Sequence, residues 1–267
     1  MRSMGSSASA RGIAAIVGVG AKLGRSVARK FAHEGYTVAI LARDLDRLSR
    51  FADEIAREEK AQVFAIRIDC SESRSIKEAF EGVLSLGFVE VLVYNAYHPV
   101  SWSPTAFADV RLDGFEKSLA VASVGAFHCA QQVIPGMVER GRGTILFTGC
   151  AASLNGIAGY PDLCCGKFAM RALSQCLARE FQPLGVHVAH VIIDGLIGAP
   201  APPPPRGSVS SSPQQSQRWA ASSSVEGEKG LILMDPDVVA QTYWQLHIQD
   251  RSTWTQEIDL RPGGPTQ

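Results

Sequence analysis

The sequence predicts one α/β domain built on a doubly wound parallel sheet, and three observations carry that prediction. Near the start, the apolar run Ile13-Ala14-Ala15-Ile16-Val17 passes through Gly18-Val19-Gly20-Ala21-Lys22-Leu23-Gly24 into a segment with Leu23, Val27, Ala28, Phe31 and Ala32 at helical spacing. Apolar runs then recur at 37–42, 62–68, 89–94, 143–148 and 186–193. They are continuous rather than alternating, as strands buried on both faces of a sheet read. Amphipathic helical segments separate them, the alternation that generates βαβ units and a parallel sheet.

The elements follow in order. Strand, glycine-rich turn and helix at 13–32 form the context in which a Gly-x-Gly pattern reads as a dinucleotide site. Glycine lets the backbone turn tightly against a pyrophosphate, and the free N–H groups of the helix start favour an anion. After the second run, Asp44 caps a helix with Leu45, Leu48, Phe51, Ala52 and Ile55 on one face. Ser71 or Ser73 caps the next, which carries Ile76, Ala79, Phe80 and Val83. Asp235-Pro236 opens a late helix, with proline at the first position, where its missing N–H costs nothing. A last strand is predicted over about 254–260.

Two segments stand apart. Residues 1–11 form a short serine-rich arm ahead of the domain at 12–267. Residues 199–229 are rich in proline, serine and glutamine, a composition that buries too little surface to offset its ordering entropy, so a flexible insertion is expected. Pro202 to Pro205 within it also suit a groove that binds polyproline.

Composition narrows the function. The chain has 267 residues, 46% hydrophobic, enough for a sizeable core. Lys plus Arg equal Asp plus Glu at 26 each, so no global field points to nucleic acid or an anionic membrane. The cysteines at 70, 129, 150, 164, 165 and 176 lack paired metal-ligand spacing and read as free thiols. No run is long enough for a membrane span or built like a signal peptide, and the cytoplasm is the expected compartment.

At this point the sequence resembles the short-chain dehydrogenase/reductase superfamily, whose members have a Rossmann fold, across nearly its whole length. The glycine turn is similar to the family's Thr-Gly-x-x-x-Gly-x-Gly: Gly18 and Gly24 fit, Lys22 takes the middle glycine's place and Gly20 is an additional one. Asp69-Cys70 looks like the pair that contacts adenine, Asn95-Ala96 like the centre of Asn-Asn-Ala-Gly, and Ile193 to Ile197 like the stretch that cradles the nicotinamide. The resemblance implies a nicotinamide dinucleotide held by Gly18, Gly20, Lys22, Leu23, Gly24, Arg43, Asp69, Cys70, Asn95, Ala96, Lys167 and Ile197. An NAD enzyme of this type ends its second strand with a carboxylate for the ribose hydroxyls. Here that position is Ala42, followed by Arg43, so NADP is expected over NAD, with Lys22 adding a second positive charge.

The catalytic motif departs from the family. Its Asn, Ser, Tyr and Lys positions fall on Ala122, Cys150, Leu163 and Lys167, so only the lysine is kept. Hydride delivered to a carbonyl leaves an alkoxide that needs a proton, and Leu163 has none to give. Tyr160, seven residues before Lys167, resembles the shifted tyrosine of divergent enoyl reductases, which makes Tyr160 and Lys167 the catalytic candidates. Tyr94, Tyr97 and His98 follow the fourth run as further proton donors, and Ser153 offers an alternative hydroxyl. Two readings stay open: an oxidoreductase acting on a carbonyl or conjugated enoyl substrate, and a dinucleotide-binding homologue that serves as sensor or partner subunit. The resemblance further implies a homodimer or homotetramer formed through Leu119–Ala126 and the helix carrying Met170, Leu173 and Leu177.

Overall fold

The computed structural model describes residues 11–99, 103–200 and 232–263. Seven strands form one sheet in the order β3-β2-β1-β4-β5-β6-β7, every neighbouring pair parallel. They are β1 (Ile13–Val17), β2 (Thr37–Ala42), β3 (Val63–Arg67), β4 (Val89–Tyr94), β5 (Gly143–Cys150), β6 (Val186–Ile193) and β7 (Glu257–Leu260). The chain starts in the middle at β1, runs outward to β3, then crosses back to β4 and proceeds to the other edge. The reversal between β1 and β4 opens a crevice at the carboxyl ends of the strands, where ligands bind in such sheets.

Alternation along each strand sends side chains into two cores. Ile13, Ala15 and Val17 face α3 (Ser73–Leu86), α5 (Gly125–Arg140) and α6 (Pro161–Phe181). Ala14 and Ile16 face α1 (Leu23–His33), α2 (Leu45–Glu59) and a last helix, α7 (Pro236–His247). A shorter α4 (Leu112–Leu119) continues through a π-helical stretch, Ala120–Val124, into α5. The continuous apolar runs are thus explained: both faces of the sheet are covered, and each large side chain buried contributes on the order of 1.5–3 kcal/mol.

Helix starts decide the local boundaries. Asp44 caps α2 by accepting the Arg47 N–H at 3.0 Å, and Asp235 caps α7 by accepting the Asp237 N–H at 2.8 Å, as the sequence predicts. The α3 prediction needs correcting. Glu72 is its N-cap and makes no side-chain cap bond. Ser71 instead donates to Asp69 Oδ1 at 2.7 Å, and Ser75 Oγ accepts the Asp69 N–H at 2.9 Å. The turn is therefore organised around Asp69. The final strand is shorter than 254–260: Trp254 Nε1 donates to Gln249 O and the Thr255 N–H to Gln249 Oε1, so these residues bond back to the preceding loop and the strand begins at Glu257.

The amino end of the sheet is closed by Phe31, Tyr36, Trp244 and His247, whose ring centroids lie 5.5–6.2 Å apart. His247 bonds Tyr36 Oη at 2.6 Å and Thr144 Oγ1 at 2.9 Å, and burial pushes its pKa down to about 4. Arg11, which the sequence assigns to the arm, packs its guanidinium 5.4 Å from the Tyr36 ring centroid. The rest of the arm and residues 201–231, most of the predicted insertion, lie outside the described residues.

Candidate active site

The cofactor side of the crevice is made of backbone. Gly18 has φ +85°, and a Cβ there would collide with the backbone of Ala96. Gly18 donates to Leu41 O at 2.8 Å, while its own carbonyl accepts Asn95 Nδ2 at 2.9 Å, so Asn95 ties β4 to the glycine turn. Gly24 allows close packing of α1, since a Cβ would lie 2.8 Å from Val19 Cα, whereas Gly20 has nothing within 4 Å of its Cβ position. Lys22 is the N-cap of α1, with no side-chain cap bond and no acidic residue in the first turn; the Arg25 N–H donates to Gly20 O at 3.2 Å, and the Leu23 and Gly24 N–H groups are left for a ligand. Glycines that a Cβ would fill and an uncapped, uncharged helix start are what a pyrophosphate requires. The residues present fit a dinucleotide.

The flanking residues are placed consistently. Arg43 is exposed just past β2, beside Asp69. Partial burial works against ionisation of Asp69, but the Ser71 hydrogen bonds and the charges of Arg43 and Arg67 hold its carboxyl below the usual value. Cys70 is buried, and its thiol is lowered chiefly by a hydrogen bond with Cys129, against the effect of burial. Its side chain therefore belongs to the core. Lys22 Nζ reaches Ile197 O at 2.6 Å, joining the glycine turn to the segment after β6. Met234 continues that segment, donating to Leu196 O at 2.8 Å and accepting the Gly198 N–H at 2.9 Å, so the two flanks of residues 201–231 pair here.

The catalytic side is made of side chains. Lys167 is buried on α6 and donates from Nζ to Thr148 O at 2.8 Å. Burial holds its pKa below the usual lysine value, partly opposed by Cys150. Cys150 ends β5 half-buried, and its side chain accepts the Ser153 N–H while Ser153 Oγ accepts the Cys150 N–H at 3.2 Å. Leu163 lies half-buried on the first turn of α6. Ala122 sits in the π-helical stretch, its methyl 2.9 Å from where a Cβ on Gly166 would stand, so two small residues let α6 approach the bend.

Tyr160 is the half-buried N-cap of α6, in register with Lys167 on one side of the helix but about 10 Å away along the axis. The other donors separate. Tyr94 is fully buried and donates to Val121 O, so it braces the π-helical stretch rather than facing substrate. Ser153 is fully buried as well, behind Cys150. Tyr97 is 58% exposed and His98 half-buried at the mouth.

Comparison with known proteins agrees with this geometry. A family model described as short chain dehydrogenase matches residues 12–198. The chain belongs to that family. Bovine 3-ketodihydrosphingosine reductase is 29% identical over 181 residues, 65% of this chain and 53% of that protein. The chain thus spans about half the length of the first curated relatives it matches. A short-chain dehydrogenase from Rhodopseudomonas palustris superposes with a TM-score of 0.75 at 27% identity, covering 94% of this chain and 98% of its own. L-Sorbose reductase from Gluconobacter frateurii, solved with NADPH and L-sorbose, has a TM-score of 0.77 at 20% identity, over 95% of this chain and 96% of that one, a likeness of fold. No helix among the described residues is long and apolar enough to cross a membrane.

Proposed function

We propose that this short-chain dehydrogenase family member is an NADP(H)-dependent oxidoreductase acting on a carbonyl or a conjugated enoyl substrate, with a non-standard proton donor. The observation that carries this reading is the buried Lys167 ammonium beside the end of β5, across the crevice from a glycine cradle that a Cβ would fill. Bound there, the nicotinamide supplies the hydride. Lys167 holds the nicotinamide ribose, the first turn of α1 binds the pyrophosphate, and Arg43 pairs with the 2′-phosphate in the place of a carboxylate. Tyr160 gives the proton, or its hydrogen bond, to the oxygen where negative charge develops.

A second reading, a dinucleotide-binding homologue without turnover, is favoured by Leu163, an apolar side chain on the α6 turn before Lys167. Titration calorimetry with NADPH, followed by absorbance assays with enone thioesters and small diketones, separates the two. NADPH oxidation with any of them supports the enzyme; tight binding with no oxidation across the panel supports the binding protein.

The proposal extends to the protein's state in the cell, a cytoplasmic homodimer or homotetramer. All six cysteines are free, as suits a reducing compartment. Val124, Phe127 and Phe168 leave 41–48% of their surface exposed on α5, α6 and the bend before α5. Met170 faces the protein's own core instead, with Leu173 and Leu177 packed against it, so an interface would use the three exposed side chains. Sedimentation at micromolar concentration tests this, and a monomer would remove it.

A further inference from the structure

Behind Cys150 lies a polar group that the reaction proposed above does not use. His190 is 1% exposed in the middle of β6. Its Nδ1 sits 3.0 Å from Glu257 Oε2, directly across the β6–β7 pair. Glu257 is fixed in turn by Arg171 of α6, whose Nε and Nη2 donate to its two oxygens at 2.7 Å each. That bidentate pair, foremost, keeps the Glu257 carboxyl below its usual pKa and therefore ionised at neutral pH. A carboxylate only accepts, so Nδ1 carries the ring proton and Nε2 presents a lone pair. That Nε2 is buried with no partner. A lone pair left so is costly, and buried polar atoms in folded proteins rarely remain in that condition.

The surroundings supply a matching donor. Nε2 points at Gly149, where a Cβ would collide with it and lie 2.8 Å from Ser153 Oγ. Glycine at 149 is thus what allows the imidazole and the Ser153 hydroxyl to face each other across a bare Cα. Ser153 is fully buried, and its Oγ already accepts the Cys150 N–H, so its hydroxyl proton is the part left to give. The groups around the ring are Glu257 on β7, Lys167 and Arg171 on α6, and Cys150 at the end of β5. Burial first, then the Lys167 and Arg171 charges, keeps His190 below the ordinary imidazole pKa against the pull of Glu257, so the ring is neutral at pH 7.

We propose that Glu257, His190 and Ser153 form a buried acid–imidazole–hydroxyl bracket, the Ser153 hydroxyl donating to His190 Nε2 directly or through one water, which positions Cys150 in the active site. His190 and Ser153 are positioning residues here, not catalytic ones. The sense of the bracket depends on the tautomer. If the ring proton moved to Nε2, the imidazole would donate to the second lone pair of Ser153 Oγ and the hydroxyl proton would have to turn away from the ring. The inference uses the place given above to Cys150 in the reductase site, but its test does not depend on turnover.

Histidine ¹⁵N spectra of the whole protein, and mass-spectrometric rates of Cys150 alkylation by iodoacetamide, read the bracket. At pH 7 the His190 proton is expected on Nδ1, with the Nε2 resonance moved by hydrogen bonding. Ser153→Ala should return that resonance to the value of a free lone pair and speed Cys150 alkylation at least threefold, while Ser153→Thr restores both. Glu257→Gln should shift the proton to Nε2 and also alter the alkylation rate, a second route should Ser153→Ala not fold. An Nε2 resonance identical in the unmodified protein and Ser153→Ala, or a proton already on Nε2, overturns the proposal. An alkylation rate indifferent to both variants overturns the positioning role. Absence of NADPH oxidation, by contrast, bears only on the reductase reading.

Discussion

The two sides of the crevice differ in what they are made of. On the β1–β2 side, the candidate cofactor cradle is backbone: a glycine with φ +85°, uncapped N–H groups at the start of α1, and the Asn95 tie to Gly18. The β5–α6 side is made of side chains, with Lys167 buried on α6 and with Cys150 and Leu163 where the sequence resemblance expects Ser and Tyr. Backbone geometry is held by the whole fold and constrains the sequence only at a few glycines. A side-chain constellation can be replaced one residue at a time without disturbing the sheet. The side-chain half of such a site is therefore freer to change than the backbone half.

The largest expected effect tests the side-chain half. If Tyr160 has taken the donor's role, Tyr160→Phe lowers turnover by about 10²–10⁴ while NADPH affinity stays within twofold. Turnover that survives this change would move the assignment to Tyr97 or His98. Next comes the backbone side. Gly18→Val forces a β-branched residue to positive φ and into Ala96, and should destabilise the protein by roughly 3 kcal/mol or more and abolish NADPH binding. Denaturant melts and calorimetry measure both, and a variant that still binds NADPH would show the cradle to be softer than its geometry.

Acid separates stability from either side of the site. His247 is buried neutral at the amino end of the sheet, with its pKa pushed from 6.5 to about 4. Between those values the unfolded chain binds a proton that the folded chain does not, so stability is complete above pH 6.5 and falls on acidification. Roughly 2–3 kcal/mol should be lost by pH 4 from this group. His247→Gln should flatten that part of the curve, and an unchanged slope would assign it to other groups.

Two smaller effects sharpen the contrast. Cys150→Ser with Leu163→Tyr installs the Ser-Tyr pair that the resemblance expects at these positions, and a gain of at least tenfold in carbonyl reduction is expected if the cradle is intact. No gain would place a further obstacle on the side-chain half, Ala122 first among the candidates. Arg43→Leu should narrow the preference for NADPH over NADH by about tenfold, the value of one charge-assisted contact. Equal affinities in the unmodified protein would mean that Arg43 serves the solvent rather than the 2′-phosphate.

The sequence by itself determined the sheet, the glycine turn and the helix caps at Asp44 and Asp235, because each is written in neighbouring residues. A buried strand is a continuous apolar run, a tight turn needs glycine, and a cap is a side chain two or three residues before the N–H it accepts. Positions that depend on distant partners were decided only by the tertiary structure. Tyr94 ends β4 at its carboxyl end, where a substrate-facing residue would stand, yet its hydroxyl donates to Val121 O. Ser153 reads as a spare hydroxyl, but the 3₁₀ turn after β5 buries it beneath Cys150. His190 gives no signal in an apolar run; it gains meaning when β7 brings Glu257 alongside and the bare Cα of Gly149 opens the space toward Ser153. His190 and Glu257 are 67 residues apart in the chain and brought together by strand pairing. Local chemistry is legible from spacing, whereas the hydrogen-bond partner of a buried polar group is chosen by packing.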